Sequence, residues 1–140
     1  MSFSPDSEGA PTAQSIQPPA ASDDALPLVS VIVPTYNAEA FIAKTLASVL
    51  AQTYRHLEVL VVDDGSSDRT PSIVKAMAEQ YPRITLLQQP NGGVAIARNA
   101  GIKKAQGEFI APIDADDLWH PEMIEKLYVP FSQGNAQLGV

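Results

Sequence analysis

Cysteine is missing altogether from the 140 residues, which excludes a disulfide framework, a thiolate zinc site and a cysteine nucleophile. Positive charge is scarce: 9 Lys and Arg stand against 16 Asp and Glu, for a formal net charge of −7. Such a surface lacks the basic stripe that tracks a nucleic-acid backbone, and it is repelled by anionic lipid headgroups. No window approaches the roughly 18 consecutive apolar residues of a membrane span. The N-terminus shows neither the basic nor the apolar region of a secretory signal. The expected compartment is the cytoplasm, with any membrane association supplied by segments beyond this chain. Also absent are Gly-x-Gly-x-x-Gly, Gly-x-x-x-x-Gly-Lys-Ser/Thr and Gly-x-Ser-x-Gly, so a dinucleotide fold, a P-loop and a nucleophile elbow all lack their signatures.

What is present divides in two. Residues 1–27 hold Asp6, Glu8, Asp23 and Asp24, no Lys or Arg, and repeated Pro, Ser and Ala. So little apolar surface cannot offset the entropy of ordering, and the segment is expected to be a disordered acidic tail. Residues 28–140 are expected to form one domain. Within them, short β-branched runs alternate with helical stripes. Leu28 to Val33, stopped by Pro34, reads as a strand, as do Leu57 to Val62, Ile84 to Leu87 and Phe109 to Ile113. Ile42, Leu46, Val49 and Leu50 form the inner face of a first helix, with Asn37 as its N-cap. Ser67 or Asp68 caps a second helix that buries Ile73, Val74, Met77, Ala78 and Tyr81. A third, rich in small residues, runs from Val94 to Gln106 with Gly107 as a left-handed C-cap. A fourth starts at Pro121, buries Met123, Ile124, Leu127 and Tyr128, and stops at Pro130. Strands apolar on both faces, alternating with helices, indicate an α/β fold: a Rossmann-like, mostly parallel sheet with flanking helices.

Ligands of open α/β sheets bind at the carboxyl ends of the strands. Those ends carry Pro34-Thr35-Tyr36-Asn37, Asp63-Asp64-Gly65-Ser66, Asn91-Gly92-Gly93 and Asp114-Ala115-Asp116-Asp117. In extended backbone Asp114 and Asp116 point the same way, and like charges so close call for a cation. Mg²⁺ takes one or two carboxylates and completes its shell with water and phosphates. The plain alternative is a solvated turn with Asp117 capping the next helix. Asp63 or Asp64 can accept from a base or a ribose, or simply form an Asp-Gly turn. Tyr36 can stack on a base or fill the sheet rim. Arg98 can reach a diphosphate or pair with a surface acid. The Asn91-Gly92-Gly93 loop either admits a ligand close to its backbone or only turns the chain. Trp119 reads as a cover over the sheet end, His120 as a helix-start residue and His56 as solvated.

Five ordered blocks make the sequence resemble the family 2 glycosyltransferases, inverting enzymes of the GT-A fold. They are Val29 to Asn37, Ser48 to Tyr54, Glu58 to Asp68, Asn91 to Gly101, and Gly107 to Asp117. The resemblance implies a nucleotide-sugar donor, usually a UDP-sugar, held with Mg²⁺ or Mn²⁺, and a saccharide or lipid-linked acceptor such as a growing cell-envelope polysaccharide. It implies that Pro34 and Tyr36 flank the base, that Asp64 accepts from the uracil N–H, and that Arg98 lies along the nucleotide. Asp114 and Asp116 are similar to the family's Asp-x-Asp pair, serving ribose and metal, with Asp117 an alternative metal ligand because the doubled acid leaves the register open.

The acidic charge of the chain points to a metal as well. A diphosphate approaching an acidic domain is repelled unless a divalent cation bridges the two, and that cation also offsets the charge growing on the leaving group. Members of the family continue into an acceptor-binding half that holds the general base. The resemblance places that base beyond Val140, and neither Glu122 nor Glu125 matches it. The expectation is a donor-binding piece with little or no transfer of its own. Two other readings stay open: a non-catalytic nucleotide-sugar-binding module, and a receiver-like phosphoacceptor domain suggested by Val61-Val62-Asp63-Asp64.

Overall fold

The computed structural model describes residues 26–132; the acidic tail expected over residues 1–27 lies, but for its last two residues, outside them. Eight elements alternate: β1 (Val29–Thr35), α1 (Ile42–Leu50), β2 (Leu57–Asp63), α2 (Thr70–Gln80), β3 (Ile84–Gln88), α3 (Val94–Lys104), β4 (Phe109–Pro112) and α4 (Met123–Ser132). The strands form one sheet in the order β3-β2-β1-β4, and every pairing is parallel. The chain therefore steps outward from β1 to β3, then returns through α3 to lay β4 on the other side of β1. That reversal puts the topological switch point, where α/β sheets open a ligand crevice, beside β1.

Side-chain alternation divides the core. Val29, Val31 and Val33 of β1, with Val59 and Val61 of β2, pack with Ile42, Leu46 and Val49 of α1, Val74 of α2 and Ile124 of α4. Ile32 and Val62 face the opposite way and meet α3, which has no apolar stripe and lies on the sheet through buried Ala97 and Gly101. A β-carbon on Gly101 would come 2.7 Å from Ile32 Cγ2. Small residues there let helix and sheet touch closely, and burial on both faces explains the unbroken apolar strands.

Several local expectations are corrected. Strand β1 runs through Pro34, which pairs with Val62. Ile32 O accepts from Ile113 N on the β4 side, and Thr35 O accepts from Asp64 N on the β2 side. Alternation thus turns Pro34 toward β4, whose pairing has already ended at Ile32–Pro112, so its missing N–H costs the ladder nothing. Asn37 does not cap α1; it sits in the left-handed region at φ 48 and bonds to the next loop instead. Helix α3 ends at Lys104, with Ala105 in extended conformation, and Gly107 is no left-handed cap. Its glycine is required because a β-carbon would meet Leu28 O and Ser30 Oγ at 2.6 Å. Tyr81 ends α2 in extended backbone and is 38% exposed, not part of its inner face.

Helix α4 begins at Met123 and continues through Pro130 to Ser132. Ile124 is buried while Leu127 is 54% exposed; the side chain of Tyr128 lies outside the described residues. The start of α4 is held by buried Gln52, whose Nε2 donates to His120 O (2.7 Å) and whose Oε1 accepts from Ile124 N (3.0 Å). At the front of the chain, Leu26 and Pro27 are docked: the Tyr54 hydroxyl donates to Pro27 O, and Leu26 O accepts from Nδ1 of half-buried His56 (2.6 Å). His56 is thus a structural anchor, not a solvated residue.

Candidate functional site

The loops at the carboxyl ends of β1, β2 and β3 are clipped to one another by short polar side chains. Asn37 N donates to Ser66 Oγ (2.8 Å), which donates to Asp63 Oδ1 (2.6 Å). Asn37 Oδ1 accepts from Ser67 N (2.8 Å). Beyond it, Ala38 N donates to Thr70 Oγ1 (2.8 Å), and Asp68 Oδ1 accepts from Thr70 N (2.9 Å) in the turn that leads into α2. These contacts hold the first loop on the second. The N-cap of α2 is Arg69, not Ser67 or Asp68; the Asp68 carboxyl is held below the ordinary value: burial raises it, but the bonds from Thr70 and Glu39 outweigh that.

Asp64 holds the second loop on the third. The residue is 4% exposed, and its carboxylate receives four bonds. Oδ1 accepts from Gln89 Nε2 and Gly92 N (both 2.8 Å); Oδ2 accepts from Gly93 N (2.9 Å) and Asn91 Nδ2 (3.2 Å). The Gln89 amide is the largest cause of a pKa lowered below the carboxylate value of 3.8; burial opposes it, and the Gly92 and Gly93 N–H groups reinforce it. Asp64 is an ionised anchor at neutral pH.

Inside this rim lies a cleft of about 250 Å³, lined by Pro34, Thr35, Tyr36, Asp64, Asn91, Gly93, Val94 and Ala97. Apolar walls with a few converging polar groups are typical of small-ligand sites. A second hollow of about 260 Å³, bounded by Tyr36, Asn37, Ala38, Phe41, Ala115 and Asp116, shares Tyr36 with the first. The Tyr36 ring, 52% exposed, stands between the two. Pro34, Tyr36 and Asp64, expected together from the sequence, do line one cleft. Arg98 is half-buried on α3, one residue past Ala97, and takes part in neither of the ion pairs found among the described residues, Arg69–Glu39 and Lys126–Glu122.

Asp114, Asp116 and Asp117 are all exposed. Strand β4 ends at Pro112, and the chain turns after Asp114, where Asp114 O accepts from Asp117 N (3.0 Å). The strand alternation expected to point Asp114 and Asp116 the same way does not extend this far. Asp116 reaches the rim of the second hollow; Asp114 and Asp117 line neither cleft. Among the described residues, no three Asp, Glu, His or Cys converge on one point. Mg²⁺ and Mn²⁺ do not require three: exposed carboxylates without ion-pair partners are the hard oxygen donors they take, with phosphates and water filling the shell. The donor set fits such an ion. Trp119 is half-buried against the core, and His120 Nδ1 accepts from Glu122 N at the start of α4, as expected of both.

Sequence reasoning gave no role to Thr35, which lines the cleft, or to Gln89, which lies behind its wall as a partner of Asp64. Thr35 Oγ1 is the buried side-chain oxygen without a hydrogen-bond partner among the described residues. Gln89 reaches Asp64 across 25 positions; nothing local in a Gln-Pro-Asn run announces a bond of that range.

The family model of Glycosyl transferase family 2 matches residues 30–139. The uncharacterized glycosyltransferase YibD of Escherichia coli is 43% identical over 71% of this chain and 29% of its own length. Among solved structures, S. aureus TarS 1-349 in complex with UDP-GlcNAc superposes with a TM-score of 0.71 at 35% identity, covering 76% of this chain and 32% of that one. The mannosyltransferase PcManGT of Pyrobaculum calidifontis, in complex with GDP-Man and Mn²⁺, gives 0.64 at 42% identity, covering 67% and 29%. The chain belongs to glycosyltransferase family 2 and has the GT-A type of α/β fold; it spans about a third of the length of these relatives. The receiver-like alternative is thereby replaced, and Asp63 and Asp64 are committed to loop contacts. Among the described residues, no helix is long and apolar enough to cross a membrane.

Proposed function

We propose that this chain binds a nucleotide-sugar donor, a UDP-sugar, together with Mg²⁺ or Mn²⁺, for inverting transfer of the sugar to a saccharide or lipid-linked acceptor, in the cytoplasm and in the service of cell-envelope polysaccharide assembly. One observation carries the reading: Pro34 and Tyr36 at the end of β1, Asp64 after β2, and Asn91 and Gly93 after β3 wall a single cleft at the carboxyl edge of the sheet. Pro34 and Tyr36 hold the base by apolar and stacking contact, and Asp64 accepts from its ring N–H. Arg98 lies along the nucleotide, and Asp114 takes the ribose. Asp116 is the main metal ligand because it alone of the three acids edges the hollow beside Tyr36, with Asp114 and Asp117 as the candidates to assist. Bound there, the cation offsets negative charge on the departing diphosphate. The neighbours crystallised with UDP-GlcNAc and with GDP-Man and Mn²⁺ support donor and metal alike.

No described residue is assigned as general base, and the 140 residues alone are expected to hold donor with little or no transfer. A purely binding module is the second reading, favoured by the commitment of Asp64, the carboxylate that lines the cleft, to four hydrogen bonds within the chain. Calorimetry of UDP with and without Mn²⁺ tests donor binding: saturable, metal-dependent heat is expected, and none from folded protein overturns the reading. UDP release in the presence of saccharide acceptors distinguishes the enzyme from the module.

A further inference from the structure

A carboxylate offers about four acceptor positions, and all four on Asp64 are already taken by donors of the chain itself. A nucleobase N–H can bond to this group only if one of them leaves. The four are not equally free. Two are the backbone N–H groups of Gly92 and Gly93, fixed in a turn whose Gly93 has φ 103. That turn is packed so tightly on the second loop that a β-carbon on Gly65 would meet Asn91 N at 2.8 Å. Asn91 Nδ2 is tied twice, to the Asp64 backbone oxygen (3.0 Å) as well as to its carboxylate. The Gln89 side chain, half-buried and flexible, holds Asp64 by a single bond from its terminal amide.

Resting on the nucleotide-binding reading above, we propose that the Gln89 amide is a stand-in for the ligand's N–H: it occupies the acceptor site on Asp64 and swings off when the base docks. Gln89 is thus a positioning residue that fills the fourth acceptor position of a buried carboxylate while the cleft is empty, sparing it one unmet hydrogen bond. In return, each binding event gives up one internal hydrogen bond. The exchange serves bases that present a ring N–H, such as the imide of uracil. A base with a bare ring nitrogen at that edge, such as cytosine, cannot replace the amide and leaves it in place.

The test is calorimetric titration of the full chain and of Gln89→Ala with UDP, CDP and inorganic pyrophosphate, all with Mn²⁺. Removing the competing donor is expected to tighten UDP about fivefold, the worth of one net hydrogen bond, with CDP and pyrophosphate unchanged. Equal or weaker UDP binding by the variant overturns the inference. Failure of UDP to bind either protein overturns the nucleotide-binding reading itself. A second measurement does not depend on the variant being well folded. The ¹⁵N side-chain amide signal of Gln89 in the native chain should shift on adding UDP and stay put on adding pyrophosphate; a signal indifferent to UDP also rejects the exchange.

Discussion

Gly65 and Asn91 are in backbone contact: a β-carbon added at Gly65 would lie 2.8 Å from the Asn91 amide nitrogen. The obstacle is main chain, which cannot step aside, and Gly65 also has φ 81. Gly65→Ala should destabilise the fold by about 1–3 kcal/mol and separate the loops that wall the cleft. Thermal unfolding and UDP titration check it; an unchanged midpoint with unchanged affinity contradicts the packing described.

Acid should loosen the same rim. The carboxyls of Asp64 and Asp68 are both held below the ordinary value of 3.8. A depressed folded-state pKa means that these groups contribute stability above the unfolded value, and that the contribution is lost as pH falls through the folded value. Stability is therefore expected to be level through neutral pH and to decline below about pH 4. In Asp64→Asn part of that decline should vanish, while stability at pH 7 drops. An unaltered acid limb would show that Asp64 is not an ionised anchor.

Thr35 carries a buried hydroxyl without a partner at the wall of the cleft. Thr35→Val keeps the shape and removes the unmet group, so it should stabilise the empty protein by about 1 kcal/mol. If the proposed nucleotide supplies the missing partner, the same change should also weaken UDP severalfold. Denaturant unfolding and calorimetry on one preparation read both; loss of stability would show the hydroxyl to be satisfied.

Metal dependence should map onto the turn after β4. Chelation with EDTA is expected to weaken UDP about tenfold or more, roughly 1.4 kcal/mol or more. Among Asp114→Asn, Asp116→Asn and Asp117→Asn, the second should abolish most of the difference between titrations with and without Mn²⁺. Equal retention of that difference in all three would remove these acids from the metal's shell.

The alternation of apolar runs and helical stripes was enough to place all eight elements and the parallel sheet, because burial on both faces leaves a local mark. Pro34, Asn37 and Gly107 misled for the opposite reason. A proline is harmless where the neighbouring strand has stopped, and an Asn before a helix can serve another loop instead. A glycine can be required by a strand that passes near it, Ser30 in this case. Within the site, Pro34, Tyr36 and Asp64 were legible because strand ends collect ligand residues. Gln89 was not, since its partner is set by how two distant loops dock. The end of β4 was not legible either: strand pairing stops at Pro112 and the chain turns from Asp114 to Asp117, where extended backbone was expected.

Crystals of the chain grown with UDP and Mn²⁺ test the central claim most directly, since manganese is located by its anomalous scattering. The predicted result is a base between Tyr36 and Asp64, with the manganese peak against Asp116. Nucleotide density on another face of the molecule, or a manganese peak remote from the turn after β4, would contradict it.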